Sequence, residues 1–388
     1  MERFTLKKIC VVIGSRANYS SIKSVMRAID NHPALELQVV LTASAILDRY
    51  GNVAKLIRAD GFIPAAEVHT LIEGETPSTM AKSTGLGLIE LATQFEQLEP
   101  DIVLTIGDRF ETMATTLAAV YMNITVAHTM GGEVTGTIDE SIRHAVTKFA
   151  HIHFPVSEEA RQRILKLGER EQHVHMVGCP RIDLVAEALK KPDKSIERRL
   201  FNLGVGESFD IRKPFVVMSQ HPVTTEYGDG ERQITATLEA VREIGIPAIV
   251  LWPNADAGSE DISRGIRKWR EQRKDREMHF FKNLPTDDYI YLMKKTSCLI
   301  GNSSSGIREG AYIGTPVVNI GLRQSMRERG RNVIDVPYEK HLIVEAINQQ
   351  LAHGPYASQA VYGNGTAGIQ IANILASESV EIQKQITY

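Results

Sequence analysis

Short runs of apolar, mostly β-branched residues recur along the chain, separated by stretches in which apolar residues return every three or four positions. Residues 8–13 (Lys-Ile-Cys-Val-Val-Ile) predict a buried strand ending at Gly14. Residues 20–30 then place Ile22, Val25, Met26 and Ile29 on one helical face. Further strands are expected at 37–42, 102–106, 124–128, 151–156 and 174–177, with helical patterns between them. The series restarts at 215–219 and continues at 248–252, 278–282, 297–300 and 316–320. These runs are continuously apolar, as strands buried on both faces of a parallel sheet must be. The predicted fold class is therefore α/β, with two Rossmann-like doubly wound domains. Ligands of such domains lie at the C-terminal ends of the strands.

The pattern divides the chain into a first domain at 1–187 and a second at 215–365. The charged, proline-marked stretch 188–214 reads as the linker. Residues 366–388 read as a C-terminal helix, to about 385, that packs back toward the first domain. A length of 388 residues suits two domains, and 43% hydrophobic with 23% charged residues suits a soluble globular protein. A net charge of −3 gives no reason to expect nucleic acid or an anionic membrane as partner. Cys10, Cys179 and Cys298 lie far apart in apolar runs, which fits buried thiols in a reducing compartment. No signal-peptide core and no run of 18 apolar residues occurs, so a cytoplasmic protein is expected.

Residues of chemical interest gather at the predicted strand ends. After the strand at 297–300, residues 301–309 read Gly-Asn-Ser-Ser-Ser-Gly-Ile-Arg-Glu. Without bulky side chains, the amides around Gly306 and the hydroxyls of Ser303, Ser304 and Ser305 can converge on one phosphate, and a helix N-terminus adds partial positive charge. Glu309 suits ribose hydroxyls. The plainer alternative is a Gly/Ser-rich turn. At 14–20, Gly-Ser-Arg-Ala-Asn-Tyr-Ser carries neither a Walker lysine nor a Gly-x-Gly-x-x-Gly fingerprint. Arg16 and Ser20 there serve a phosphate, or are a surface cation and a helix-terminal serine.

Gly107-Asp108-Arg109-Phe110-Glu111 follows the strand at 102–106. Asp108 is either a general acid or base or a helix cap, and Arg109 can hold an anion or favour the ionised form of Asp108. Between His128 and His144 lie Glu133, Asp139 and three glycines, a density of ionisable groups that favours a site over capping and solvation. His221, ahead of Pro222, can trade protons or donate to a phosphate. Asn254 lies at the next strand end, where it could contact a nucleotide, and Arg323 adds a cation after 316–320. The pairs His151/His153 and His173/His175 alternate as strand residues do. They lack the carboxylate or thiolate spacing of a metal centre, so no metal is expected.

Taken together, the runs Arg16–Ser20, Gly107–Phe110, Gly131–Asp139, Ser141–His144, Gln220–Thr225, Pro253–Ser259 and Gly301–Ser304 give the chain a resemblance to the UDP-N-acetylglucosamine 2-epimerases. It is most similar to the hydrolysing branch that feeds sialic acid and related nonulosonate synthesis. The resemblance implies a GT-B-like fold with the active site between two Rossmann-like domains, no cofactor and no metal. It implies elimination of UDP to 2-acetamidoglucal, then hydration to N-acetylmannosamine. Carried over by position, Asp108 and Asp139 match acid/base carboxylates, and His221 matches a phosphate-side histidine. Arg16, Ser20, Arg109, Ser303, Ser304, Glu309 and Arg323 match UDP contacts. Where some members carry a catalytic glutamate this chain has Met130, so either Glu133 or a neighbour takes that role or the role is not general to the family. The implied partners are a UDP-sugar and UDP, with a homodimer or tetramer as the assembly. Four other readings are a hydrolysing 2-epimerase for UDP-2,4-diacetamido-2,4,6-trideoxyglucose, a non-hydrolysing 2-epimerase, a GT-B glycosyltransferase and a UDP-sugar sensor.

Overall fold

The computed structural model describes residues 6–48, 52–73, 76–134, 138–191, 195–223, 226, 228–253, 259–272, 276–282 and 284–387. The chain forms two compact units, one of residues 1–184 with 363–388 and one of residues 185–362.

In the first unit the apolar runs become β1 (Lys7–Ile13), β2 (Leu35–Thr42), β3 (Ala66–Val68), β4 (Ile102–Ile106), β5 (Thr125–Thr129) and β6 (Ile152–Phe154). They pair in parallel in the order β3-β2-β1-β4-β5-β6. The helices are α1 (Arg16–Asp30), α2 (Val53–Ala59), α3 (Pro77–Leu98), α4 (Phe110–Tyr121), α5 (Ile138–Phe149), α6 (Glu158–Lys166) and α7 (Pro180–Lys190), which runs on into the second unit. Successive side chains of β1 point to opposite faces, and both faces are buried. Ile9, Val11 and Ile13 meet Ile22, Val25, Met26 and Ile29 of α1. Cys10 and Val12 meet Leu91 and Phe95 of α3 and Ala118 of α4. That double burial is why these strands read as unbroken apolar runs.

The second unit holds α8 (Ile196–Arg199), β7 (Val205–Gly206), β8 (Val216–Ser219), α9 (Gly230–Ile244), β9 (Ala248–Leu251), α10 (Ser259–Glu271), β10 (Met278–Phe281) and α11 (Thr286–Lys295). It continues through β11 (Cys298–Gly301), α12 (Ser304–Ile307), α13 (Glu309–Ile313), β12 (Val317–Ile320), β13 (Val333–Val336) and α14 (Lys340–His353). Its sheet runs β13-β12-β11-β8-β9-β10-β7 and is parallel except where β7 pairs with β10. The segment 188–214, expected as a linker, is built into this unit. Ile196 and Leu200 are fully buried in its core, and Arg199 grips the buried Asp288 through two bonds of 2.8 and 2.6 Å. Its charges are thus partly spent on tertiary pairing.

The chain then returns to the first unit as α15 (Ala367–Ser377), which packs on α1. The Asp183 carboxylate accepts the first two amides of this helix, at 3.0 and 2.7 Å, and complements its dipole. The helix ends at Ser377, well short of 385, and the polar tail beyond it is held by side chains instead. Lys384 Nζ lies 2.6 Å from the buried Glu169, which also meets Lys148 at 2.6 Å and His153 at 3.1 Å. Three such partners offset the cost of burying a carboxylate and hold its pKa down at about 2. Lys384→Met, which strips one cation from Glu169 and two bonds from the carbonyls of Lys148 and Ala150, is expected to lower unfolding free energy by about 2–3 kcal/mol, measured by urea denaturation.

The strand expected at 174–177 is reduced to a single bridge between Val174 and His153. Cys10, Cys179 and Cys298 are buried, and none is in a disulfide. Among the described residues no helix is long and apolar enough to cross a membrane.

Candidate functional site

Each described site residue sits at the C-terminal end of a parallel strand or on the helix that follows, the place where such sheets present loops to ligands. In the first unit β1 ends at Gly14. Ser15 caps α1, accepting the Asn18 amide at 3.2 Å, and Arg16 opens the helix with an exposed side chain. The Ser20 hydroxyl donates to the Ala17 carbonyl at 3.0 Å. A Cβ on residue 14 would lie 2.4 Å from Cγ of Glu111, so only glycine admits that buried carboxylate beneath the loop. Glu111 in turn accepts Nε of Arg109 at 2.8 Å.

Beyond β4, Asp108 forms an ion pair with Arg143 of α5, whose side chain is 2% exposed. Arg143 also donates to the Glu133 carbonyl at 2.5 Å, and Glu133 itself is buried. Asp139 precedes Arg143 by four residues and therefore shares its face of α5. One buried guanidinium thus gathers Asp108, Glu133 and the turn carrying Asp139. Behind them His128 Nε2–H donates to the Gly107 carbonyl at 2.8 Å. Burial pushes the His128 pKa down to about 4, so this ring is a neutral brace next to Asp108. Met130 is buried and takes a left-handed backbone, φ +67°.

In the second unit β8 leads to His221, which is buried; burial and then the charge of Arg323 push its pKa down to about 3. A Cβ at Gly301, where φ is +126°, would lie 2.2 Å from the Ser219 carbonyl, so β8 and the end of β11 can approach only across glycine. Ser303 caps α12 and shares a 2.8 Å bond with Ser305. The buried Ser305 hydroxyl is also bonded to Tyr289 at 2.7 Å, and the Gly306 amide donates to the Ser303 carbonyl at 3.1 Å. The hydroxyl of Ser305 and the amide of Gly306, expected at a phosphate, both have partners within the second unit, Ser305 at Tyr289 and Ser303 and Gly306 at the Ser303 carbonyl. Ser303 and Ser304 keep partly open side chains, and Glu309 is buried.

The single helix expected after the loop is two short ones, broken at Arg308, so little macrodipole accumulates there. Asn254 lies outside the described residues, as do Thr135, Gly136 and Thr137.

The histidine pairs serve other ends. His153 bonds Glu169, His151 accepts the Val126 amide and meets the Ile382 carbonyl at 3.0 Å, and His173 meets Glu378 at 2.6 Å. Among the described residues no cluster of His, Cys, Asp or Glu could hold a metal ion. Arg143 and Asn302 stand within the motif runs of the sequence but carry no role of their own there. Arg143 falls one turn after Asp139, a spacing that would have flagged it.

Known proteins share this architecture along nearly the whole chain. The profile described as UDP-N-acetylglucosamine 2-epimerase matches residues 27–376. A Legionella pneumophila protein named UDP-N,N'-diacetylbacillosamine 2-epimerase (hydrolyzing) is 32% identical over 381 residues, covering 98% of both chains. A Neisseria meningitidis UDP-N-acetylglucosamine 2-epimerase is 29% identical over 360 residues, covering 93% of this chain and 92% of the relative. Among solved structures, UDP-GlcNAc 2-epimerase from Neisseria meningitidis bound to UDP-GlcNAc aligns with a TM-score of 0.79 at 18% identity, over 96% of this chain and 100% of that one. That likeness gives the fold class, two parallel-sheet α/β units of GT-B-like type. With a profile match of this extent and a full-length relative at this identity, the chain belongs to the UDP-N-acetylglucosamine 2-epimerase family.

Proposed function

We propose that the protein is a hydrolysing 2-epimerase that converts UDP-N-acetylglucosamine and water to N-acetylmannosamine and UDP. The observation that carries this reading is the buried Arg143 fork, which holds Asp108 and the Glu133 segment beside the turn of Asp139. Sugar C2–H bonds are barely acidic, so proton removal must run alongside departure of the diphosphate. A carboxylate takes the C2 proton, the C2–H electrons form the C1=C2 bond, and the C1–O bond breaks to release UDP. Water then adds its oxygen to C1 while a second carboxyl group returns a proton to the opposite face of C2; the carboxylate so formed takes up the proton the water loses, and the first carboxyl releases the C2 proton to solvent. Asp108 and Asp139 are the acid/base pair, with Glu133 beside them. Met130, which cannot exchange protons, takes no part in proton transfer.

On this reading His221, Arg323, Ser303, Ser304, Arg16, Ser20 and Arg109 are the pyrophosphate contacts, and Glu309 takes the ribose hydroxyls. Fixed donors and cations stabilise the charge that develops as UDP departs. His221 is neutral in the free protein and donates N–H to a phosphate oxygen; the bound diphosphate favours its protonated form.

A second reading keeps this mechanism but changes the sugar to UDP-2,4-diacetamido-2,4,6-trideoxyglucose. It is favoured by the name of the Legionella relative. Offering both UDP-sugars side by side and following free UDP by chromatography separates the two. Faster release from UDP-N-acetylglucosamine is expected. Release from the diacetamido sugar alone would move the assignment to the second reading, and release from neither would overturn both.

A further inference from the structure

We infer that Asn302 is the positioning residue of the pyrophosphate cradle, fixing His221 and Arg323 at one spacing. The inference rests on the reading that these two residues hold the diphosphate. Asn302 is fully buried, so it acts through its neighbours and not by touching the ligand. Its amide pairs with the backbone of residue 221 at two points: Oδ1 accepts the His221 N–H at 2.7 Å, and Nδ2 donates to the His221 carbonyl at 2.8 Å. Its own N–H donates to the Ser219 carbonyl at 3.1 Å. Its carbonyl accepts Arg323 Nη1 at 3.3 Å and Gln324 Nε2 at 3.0 Å.

One residue at the mouth of β11 therefore ties together the loops that leave β8 and β12. A donor and an acceptor on one rigid plane are needed to imitate a neighbouring strand in this way. Asparagine offers them at the reach required here. Alanine at this position leaves the N–H and carbonyl of residue 221 without their partners, and the loop then relaxes to recover them.

The test is titration calorimetry with UDP on the wild type, Asn302→Ala, Asn302→Ser, His221→Asn and the Asn302→Ala/His221→Asn pair, with the ³¹P spectrum of bound UDP recorded alongside. The wild type is expected to bind UDP. Asn302→Ala should weaken binding about tenfold or more and move the β-phosphorus resonance toward its free position. The double variant should lose little beyond His221→Asn alone, because Asn302 acts through that histidine. A purely structural role would lower thermal stability without this coupling. Should Asn302→Ala fail to fold, Asn302→Ser gives the same reading, since it keeps one hydroxyl but not the two-point pairing.

Variants that bind UDP as tightly as the wild type, or losses that simply add, would overturn the inference and leave the proposed function standing. A wild type that does not bind UDP would bring down both.

Discussion

Asp108→Asn is expected to lower kcat/KM by about 10³-fold while leaving the affinity for UDP within about threefold of wild type. Asparagine has the same shape and can still accept a hydrogen bond from Arg143, but it cannot take up a proton. The loss should therefore appear in kcat, because the missing interaction belongs to the transition state and not to nucleotide binding. Steady-state kinetics and UDP titration read the two effects separately. Folding must be checked too, since neutralising Asp108 removes the charge opposite a guanidinium whose side chain is 2% exposed. A variant that keeps a tenth or more of wild-type kcat would remove Asp108 from the chemistry.

Arg143→Met should cost both stability and turnover. The buried guanidinium joins the Asp108 carboxylate, on the loop after β4, to the Glu133 carbonyl, on the loop after β5. Breaking a buried pair leaves a carboxylate without its cation, which costs about 3 kcal/mol by urea unfolding; the partial exposure of Asp108 keeps the figure from being larger. Activity should fall further than stability alone explains, because both loops lose their common anchor. Arg143→Lys should recover the charge but only part of the function, since an ammonium cannot repeat the planar fork that reaches both partners. Wild-type stability in Arg143→Met would show that the fork holds nothing together.

Most of the architecture was legible because burial on both sheet faces writes itself as unbroken apolar runs, and β1, β4, β8 and β12 follow those runs closely. Elements held by other means were not. β13 reads Val-Ile-Asp-Val and is only partly buried, β3 has three residues, and β7 has two exposed residues that join the sheet antiparallel. The run at 174–177 is apolar enough for a strand, yet it makes only one bridge. The C-terminal tail was read as helix because local spacing cannot show that Lys384 and Glu378 are claimed by Glu169 and His173.

The candidate site was legible in position, since glycines and ionisable residues cluster wherever a strand ends. The direction of each side chain was not. Ser303 and Ser305 look alike in sequence, but Tyr289 draws the second one inward. Arg143 looks like one more cation on the solvent face of a helix until its tertiary partner is seen.

Proton NMR of the product formed from UDP-N-acetylglucosamine in heavy water reads the proposed reaction at the bond where it happens. Elimination and hydration give free N-acetylmannosamine carrying deuterium at C2, with UDP released in equal amount. A product that keeps its C2 proton, or a sugar still joined to UDP, would contradict that reaction.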